Sequence, residues 1–170
     1  MRLISLTANK EEFKSIYFNR SGITLILGKQ KSHGVSEKGK TYNGVGKSLA
    51  IALIHFCLGS NKNTEYERAI PEWEFTLEFE IAGQRMTSRR KTSAQNRIYL
   101  NDEEMGVKKF TEFLEAKVFQ LPSSRPYITF RSLLSRFLRP RKASYVTFDS
   151  AEPREKPYER LLRNAFLLGL

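Results

Sequence analysis

Apolar residues near the start of the chain fall into short runs of strand length. Residues 3–6 and 13–18 form the first two runs, and the segment ITLIL at residues 23–27 follows the turn residues Ser21 and Gly22. Four of the five positions in ITLIL are apolar, which predicts a strand buried on both faces. The next residues, 29–40, are mostly polar, and we expect an exposed loop there.

The middle of the chain changes from helical to strand periodicity. Residues 47–58 are apolar on nearly every face and precede Gly59, a residue type that commonly ends a helix, so they predict a helix buried on most sides. The segment WEFTLEFEI at residues 73–81 alternates strictly and predicts a half-buried strand. A turn at Gly83 and the segments QRMTSRRKT and RIYLN then predict a three-stranded antiparallel meander over residues 73–101, with Asn101 and Asp102 starting the exit turn.

The last third of the chain has helical spacing interrupted by proline. Residues 107–119 and 130–138 each carry an apolar stripe and predict helices, and the second ends before Pro140. Residues 158–170 predict a further helix whose leucines need a partner surface. We therefore divide the chain into a lobe of residues 1–157, with a helical part at 107–140, and a terminal helix at 158–170.

Composition narrows the class of protein. A chain of 170 residues with 40% hydrophobic residues can close one core. The single cysteine, Cys57, excludes an internal disulfide framework, and no apolar run approaches the roughly 18 residues of a membrane span, so we expect a cytoplasmic protein without a membrane partner. The net charge of +11 favours phosphate-rich partners.

The segment NGVGKS at residues 43–48 contains the parts of a phosphate-binding loop. Such a loop needs glycines that let backbone N–H groups turn inward at a helix N-terminus, a lysine for the outer phosphates and a hydroxyl for magnesium. Lys47 and Ser48 fill the last two roles and predict ATP and Mg²⁺ as ligands. The predicted nucleotide contacts are Gly28, Asn43, Gly44, Val45, Gly46, Lys47, Ser48 and Leu49. The structural alternative is a glycine-rich turn that only caps a helix.

The usual opening glycine of this motif is missing, because Thr41 occupies its place. Gly28 directly follows the predicted strand, so we interpret residues 29–41 as an insertion inside the loop. Two doublings of loop length cost only about 1.2 kcal/mol of closure entropy, so the insertion is compatible with a formed site. The inserted lysines form either a lid over the nucleotide or a solvated loop.

These segments resemble the N-terminal half of the ABC ATPase head in the SMC, RecF and RecN superfamily. The resemblance rests on the order SGITLILG, NGVGKS and FCLGS, and the interrupted loop, IHFCLG, FRSLLSRFLRP and RNAFLLGL are similar to bacterial SMC-like ATPases, some encoded in defence-associated operons. It implies an α/β P-loop NTPase fold, an ABC/SMC-type head N-lobe with a mixed sheet, an antiparallel β meander and flanking helices. It also implies a homodimer around ATP, a terminal helix that leads into a coiled coil, and a possible partner protein from the same operon.

The resemblance also assigns roles to particular residues. Lys47 would be catalytic, and Gln120 would take the place of the glutamine that senses magnesium and the attacking water. Neither a Walker B carboxylate pair nor an ABC signature is visible, so the chain is expected to be half of an active head, inactive without its second half.

Basic residues cluster on the meander and around the predicted helix at 130–138. We interpret Arg89, Arg90, Lys91, Arg136 and Arg139 as candidate DNA contacts, in a protein of DNA repair or anti-phage defence. Two other functions stay open, a small P-loop phosphotransferase and a basic nucleic-acid-binding module with a degenerate nucleotide site.

Overall fold

The computed structural model describes residues 1–27, 46–121, 127–140, 142–145, 150–151 and 154–170, with only the backbone at Lys47, Lys142 and Ala143. The predictions for Gly28, for the insertion 29–41 and for residues 43–45 (Asn43, Gly44 and Val45) lie outside the described residues.

Six antiparallel strands form one sheet in the order β2-β1-β3-β4-β5-β6. The strands are β1 (Arg2–Ala8), β2 (Ile16–Tyr17), β3 (Glu74–Ile81), β4 (Gln84–Lys91), β5 (Arg97–Leu100) and β6 (Glu103–Gly106). The helices are α1 (Lys47–Cys57), α2 (Thr64–Ala69), α3 (Val107–Leu114), α4 (Phe130–Leu134) and α5 (Pro157–Leu168). A π-helical turn, Glu115–Phe119, extends α3, and a 3₁₀ turn spans Lys142–Tyr145. The mixed α/β class is confirmed.

The sheet differs from the prediction in two ways. Every strand pair among the described residues is antiparallel, so the expected mixed sheet is wrong for this part of the chain. The meander has four strands instead of three, because Asn101 (φ 54°) and Asp102 form a two-residue hairpin turn into β6 rather than an exit from the sheet. β6 has only four residues, and two of them are glutamates, so its sequence does not differ clearly from that of a loop.

Residues 23–27 do not form the predicted buried strand. They have no regular secondary structure, and the side chains of Ile23, Leu25 and Leu27 are 86%, 74% and 63% exposed. A strand needs a neighbour to satisfy its backbone N–H and C=O groups, and none of the described strands lies beside this run. The run is apolar as the prediction required, but the described residues contain no strand that pairs with it.

The main core lies between the sheet and α1. In β3 the side chains of Phe75, Leu77, Phe79 and Ile81 are buried while their neighbours are not, which confirms the predicted alternation. They pack in one cluster with α1, whose Phe56 is fully buried. Each such side chain contributes about 1.5–3 kcal/mol to the free energy of unfolding, so β3 fixes the position of α1 firmly.

A second, smaller cluster attaches α5 to the helical part. Leu162, Phe166 and Leu167 pack against Leu121, Ile128 and Leu133. A buried Glu155 carboxylate bonds Arg136 at 2.5–2.9 Å and Arg163 at 2.7 Å. The predicted helix at 130–138 is shorter than expected, since α4 ends at Leu134 and turns follow. None of the helices in the described ranges is long and apolar enough to cross a membrane.

Candidate nucleotide site at the start of α1

The start of α1 has the backbone geometry of an anion-binding helix terminus. Gly46 occupies the N-cap position with φ 79° and ψ 6°, a left-handed conformation that glycine adopts without the strain of a Cβ. The first intrahelical bond runs from Ala50 N to Gly46 O at 2.9 Å. The amides of Lys47, Ser48 and Leu49 therefore have no carbonyl partner within the helix.

Within the described residues, no side chain caps this end of α1, and its first turn contains no acidic residue. Ser48 and Leu49 are exposed. No described side chain therefore neutralises the positive end of the helix dipole. The predicted helix over residues 47–58 is confirmed as α1; the role of Gly46, Ser48 and Leu49 in nucleotide binding stays a prediction.

A cavity of about 500 Å³ adjoins Gly46 and Leu49. Its wall is mainly apolar and includes the aromatic residues Phe13, Trp73 and Phe75, with Lys14 among the polar lining residues. Phe13 meets Phe75 edge to face, with ring centroids 5.5 Å apart. The volume lies within the range of small-molecule sites. A helix start without a side-chain cap and an aromatic cavity are therefore adjacent.

Sequence reasoning missed this cavity. Phe13 follows β1, and Trp73 precedes β3; the two residues come together because Ala8 pairs with Phe75 in the sheet. Their separation of 60 residues gives no local signal, and each was interpreted as a strand residue. Only the register of β1 against β3 places them beside α1.

Gln120 ends the π-helical turn after α3 in a left-handed conformation, with φ 52°. Its backbone N–H faces Glu115 O, and its side chain is exposed. No hydrogen bond between described residues joins it to α1. The predicted magnesium-sensing role of Gln120 thus has no geometric support at Ser48.

The candidate DNA contacts do not form one exposed surface. Arg90 is 1% exposed, with its guanidinium bonded to backbone carbonyls, so its assignment as a DNA contact is wrong. Arg136 is also sequestered, with its side chain 8% exposed in the pair with Glu155. Arg139 donates to Ser144 O. Arg136 is therefore held inside the helical part by Glu155, and the half-buried Arg139 bonds the 3₁₀ turn.

The outer face of the sheet carries both signs of charge. Arg89 lies 3.9 Å from the Glu74 carboxylate and 5.4 Å from the centroid of the Tyr99 ring, while Lys91 is exposed. Arg85 pairs with Glu78 at 3.4 Å. This alternation of cations and carboxylates lowers the local potential that a DNA backbone would meet.

The remaining reactive groups are inert or isolated. Burial raises the pKa of the Cys57 thiol to about 12, against a smaller opposite effect of Arg90, so the thiol stays protonated at neutral pH. In the part of the chain that the structure describes, no cluster of histidine, cysteine, aspartate and glutamate could hold a metal ion. The start of α1 is therefore the best candidate site.

Comparison of the sequence with models of known protein families gave no match, and comparison with curated proteins gave none either.

Proposed function

We propose that the chain binds ATP with Mg²⁺ at the start of α1 and serves as the N-terminal lobe of an SMC-like ABC ATPase. One observation carries the proposal: the uncapped helix start at Gly46, followed in sequence by Lys47 and Ser48, adjoins an aromatic cavity of about 500 Å³. Phosphates suit the first feature and a purine base suits the second.

Each residue has a defined task in this proposal. The amides that follow Gly46 bind phosphate oxygens, and Lys47 neutralises charge on the outer phosphates. Ser48 would hold Mg²⁺, which supplies further neutralisation of the β- and γ-phosphates when bound. Phe13 and Trp73 exclude water from the base and orient it.

Hydrolysis needs a group that positions the attacking water, and α1 supplies no carboxylate in its first turn. The exposed apolar run at residues 23–27 is a surface that a second half of the head could cover. We propose that the chain binds ATP alone and hydrolyses it only when joined to that second half, in heads that dimerise around ATP.

Binding can be tested by isothermal titration calorimetry of the full chain with ATP and Mg²⁺. Lys47→Ala should remove binding, because the phosphate charge then has no cation at the loop. Lys109→Ala is the matched control, since that lysine is exposed and, among the described residues, pairs only with Glu103 at 3.1 Å. Unchanged affinity in Lys47→Ala would reject the proposal.

Engagement of DNA or of a partner protein is the coupled step that we propose for ATP turnover. Gel-shift titrations of a DNA duplex with and without ATP separate this proposal from a nucleic-acid module with a degenerate nucleotide site. DNA binding that depends on ATP and on Lys47 supports DNA as the coupled partner, whereas DNA binding that ignores both supports the module.

A further inference from the structure

A second cavity, of about 520 Å³, lies at the other end of α1. It is bounded by the second half of α1, the connection at residues 60–64, and α4 with the residues after it. Its polar lining includes His55, Asn61, Lys62, Tyr66 and Arg131, and no described aspartate or glutamate lines it. Lys62 pairs with Glu67 at 2.9 Å just outside the lining, so Arg131 is the cation of the lining that no described carboxylate neutralises, and it favours an anionic occupant.

Arg131 is placed to bind such an occupant. Its Nε donates to Gly59 O at 2.7 Å and its Nη1 donates to Asn61 Oδ1 at 2.6 Å, which fixes the plane of the guanidinium. Within the described ranges its Nη2 donates no hydrogen bond, and no carboxylate lies within 4 Å of the group. A rigid guanidinium with spare donors matches the geometry of a phosphate.

The surroundings of Arg131 carry excess positive charge. Arg90 lies nearby, and all four of its hydrogen bonds go to the carbonyls of Phe56, Ser60 and Gln95. Burial lowers the pKa of Arg90 to about 10, and repulsion by Arg131 acts in the same direction. The negative end of the α1 dipole supplies only about half an elementary charge against these two guanidinium groups. Arg90 does not line the cavity, but its positive charge adds to that of the half-buried Arg131, which does line it, and both favour an anion there.

We propose that this cavity binds the phosphate group of a small molecule, with Arg131 as its anchor and Lys62 at the rim. The cavity is large enough for a mononucleotide. It is a different site from the start of α1, because the two cavities share no lining residue. The inference does not depend on ATP binding at Gly46.

The test uses the full chain carrying Lys47→Ala, so that the start of α1 does not contribute, and titrates inorganic pyrophosphate by calorimetry at low salt. We expect saturable binding at one site. Arg131→Gln should weaken it by about 10- to 100-fold, the usual worth of charge-assisted hydrogen bonds. Arg68→Gln is the matched control: Arg68 is exposed and its one ion pair within the described ranges is with Glu65, so the affinity should stay within about twofold.

A second variant keeps the test decisive if loss of the Arg131 contacts to Gly59 and Asn61 prevents folding. Lys62 is half-exposed and pairs with Glu67 at 2.9 Å, so Lys62→Glu places two carboxylates at the rim and should also weaken anion binding. Parallel titration with AMP distinguishes the source of the phosphate: tighter binding than pyrophosphate indicates a nucleotide, and weaker binding indicates free phosphate. Absent pyrophosphate binding, or binding unchanged in both Arg131→Gln and Lys62→Glu, would overturn the inference.

Discussion

Arg90→Met tests the buried guanidinium that joins the sheet to the end of α1. The arginine donates to Gln95 O twice, to Phe56 O at 2.7 Å and to Ser60 O at 3.0 Å, and its Cζ lies 4.3 Å from the centroid of the Phe56 ring. Methionine keeps most of the side-chain length but has no donor. Phe56 O retains the Gly59 amide, at 3.2 Å, so the change chiefly deprives the other two carbonyls.

The expected loss of stability follows from three contributions. Two carbonyls without donors cost about 1–3 kcal/mol each, and the lost cation–π contact costs about 2 kcal/mol. Against this, methionine removes the burial penalty of the charge. That penalty lowers the pKa of Arg90 from 12.5 to about 10 and corresponds to about 3 kcal/mol. The net expectation is that the free energy of unfolding falls by about 3 kcal/mol.

Urea denaturation followed by circular dichroism measures this change directly. Arg85→Met is the matched control on the same strand: Arg85 is 67% exposed and pairs with Glu78 at 3.4 Å, so its loss should cost no more than about 1 kcal/mol. Equal stability of the two variants would refute the assignment of Arg90 as a structural link.

Three further predictions concern single sites. Gly59→Ala should lower the free energy of unfolding by about 1–3 kcal/mol in urea, because Gly59 has φ +84° and a Cβ would lie 2.8 Å from Thr111 Cγ2; wild-type stability would contradict this. Cys57 should react with a thiol reagent only as fast as the chain unfolds, since burial raises its pKa to about 12; rapid labelling of the native protein would show an open core. Glu155→Gln should cost about 3 kcal/mol at pH 7, and thermal melts should show the difference from wild type narrowing below about pH 4. Burial by itself raises the pKa of Glu155, but hydrogen bonds and charges from its arginine partners and a backbone amide lower it overall, so its contribution disappears as pH falls; a constant difference at all pH values would contradict this.

The spacing of apolar residues along the chain predicted the helix and the strand whose burial pattern depends on local sequence. The alternation in β3 and the apolar run of α1 with Gly59 at its end were sufficient to identify a half-buried strand and a buried helix. Pairing is not local, so neither the exposure of residues 23–27 nor the aromatic cavity beside Gly46 followed from the sequence.

The sequence of β4 contains a pattern that indicates burial of Arg90, but the charge of this residue argued against burial. In β4 the buried positions are Met86, Ser88 and Arg90, which share one parity along the strand. A period of two puts Arg90 on the inner face with Met86, whereas its charge led to the interpretation of a DNA contact. The carbonyls at the end of α1 make the inner position tolerable, and they come from residues 30 and 34 positions away.

The fluorescence of Trp73, the only tryptophan in the chain, tests the central claim most directly because this side chain lines the cavity beside Gly46. Titration with ATP and Mg²⁺ should change its emission saturably, inorganic triphosphate should change it much less, and Lys47→Ala should abolish the ATP response. Emission that stays constant at saturating ATP, or that responds equally in Lys47→Ala, would contradict nucleotide binding at the start of α1.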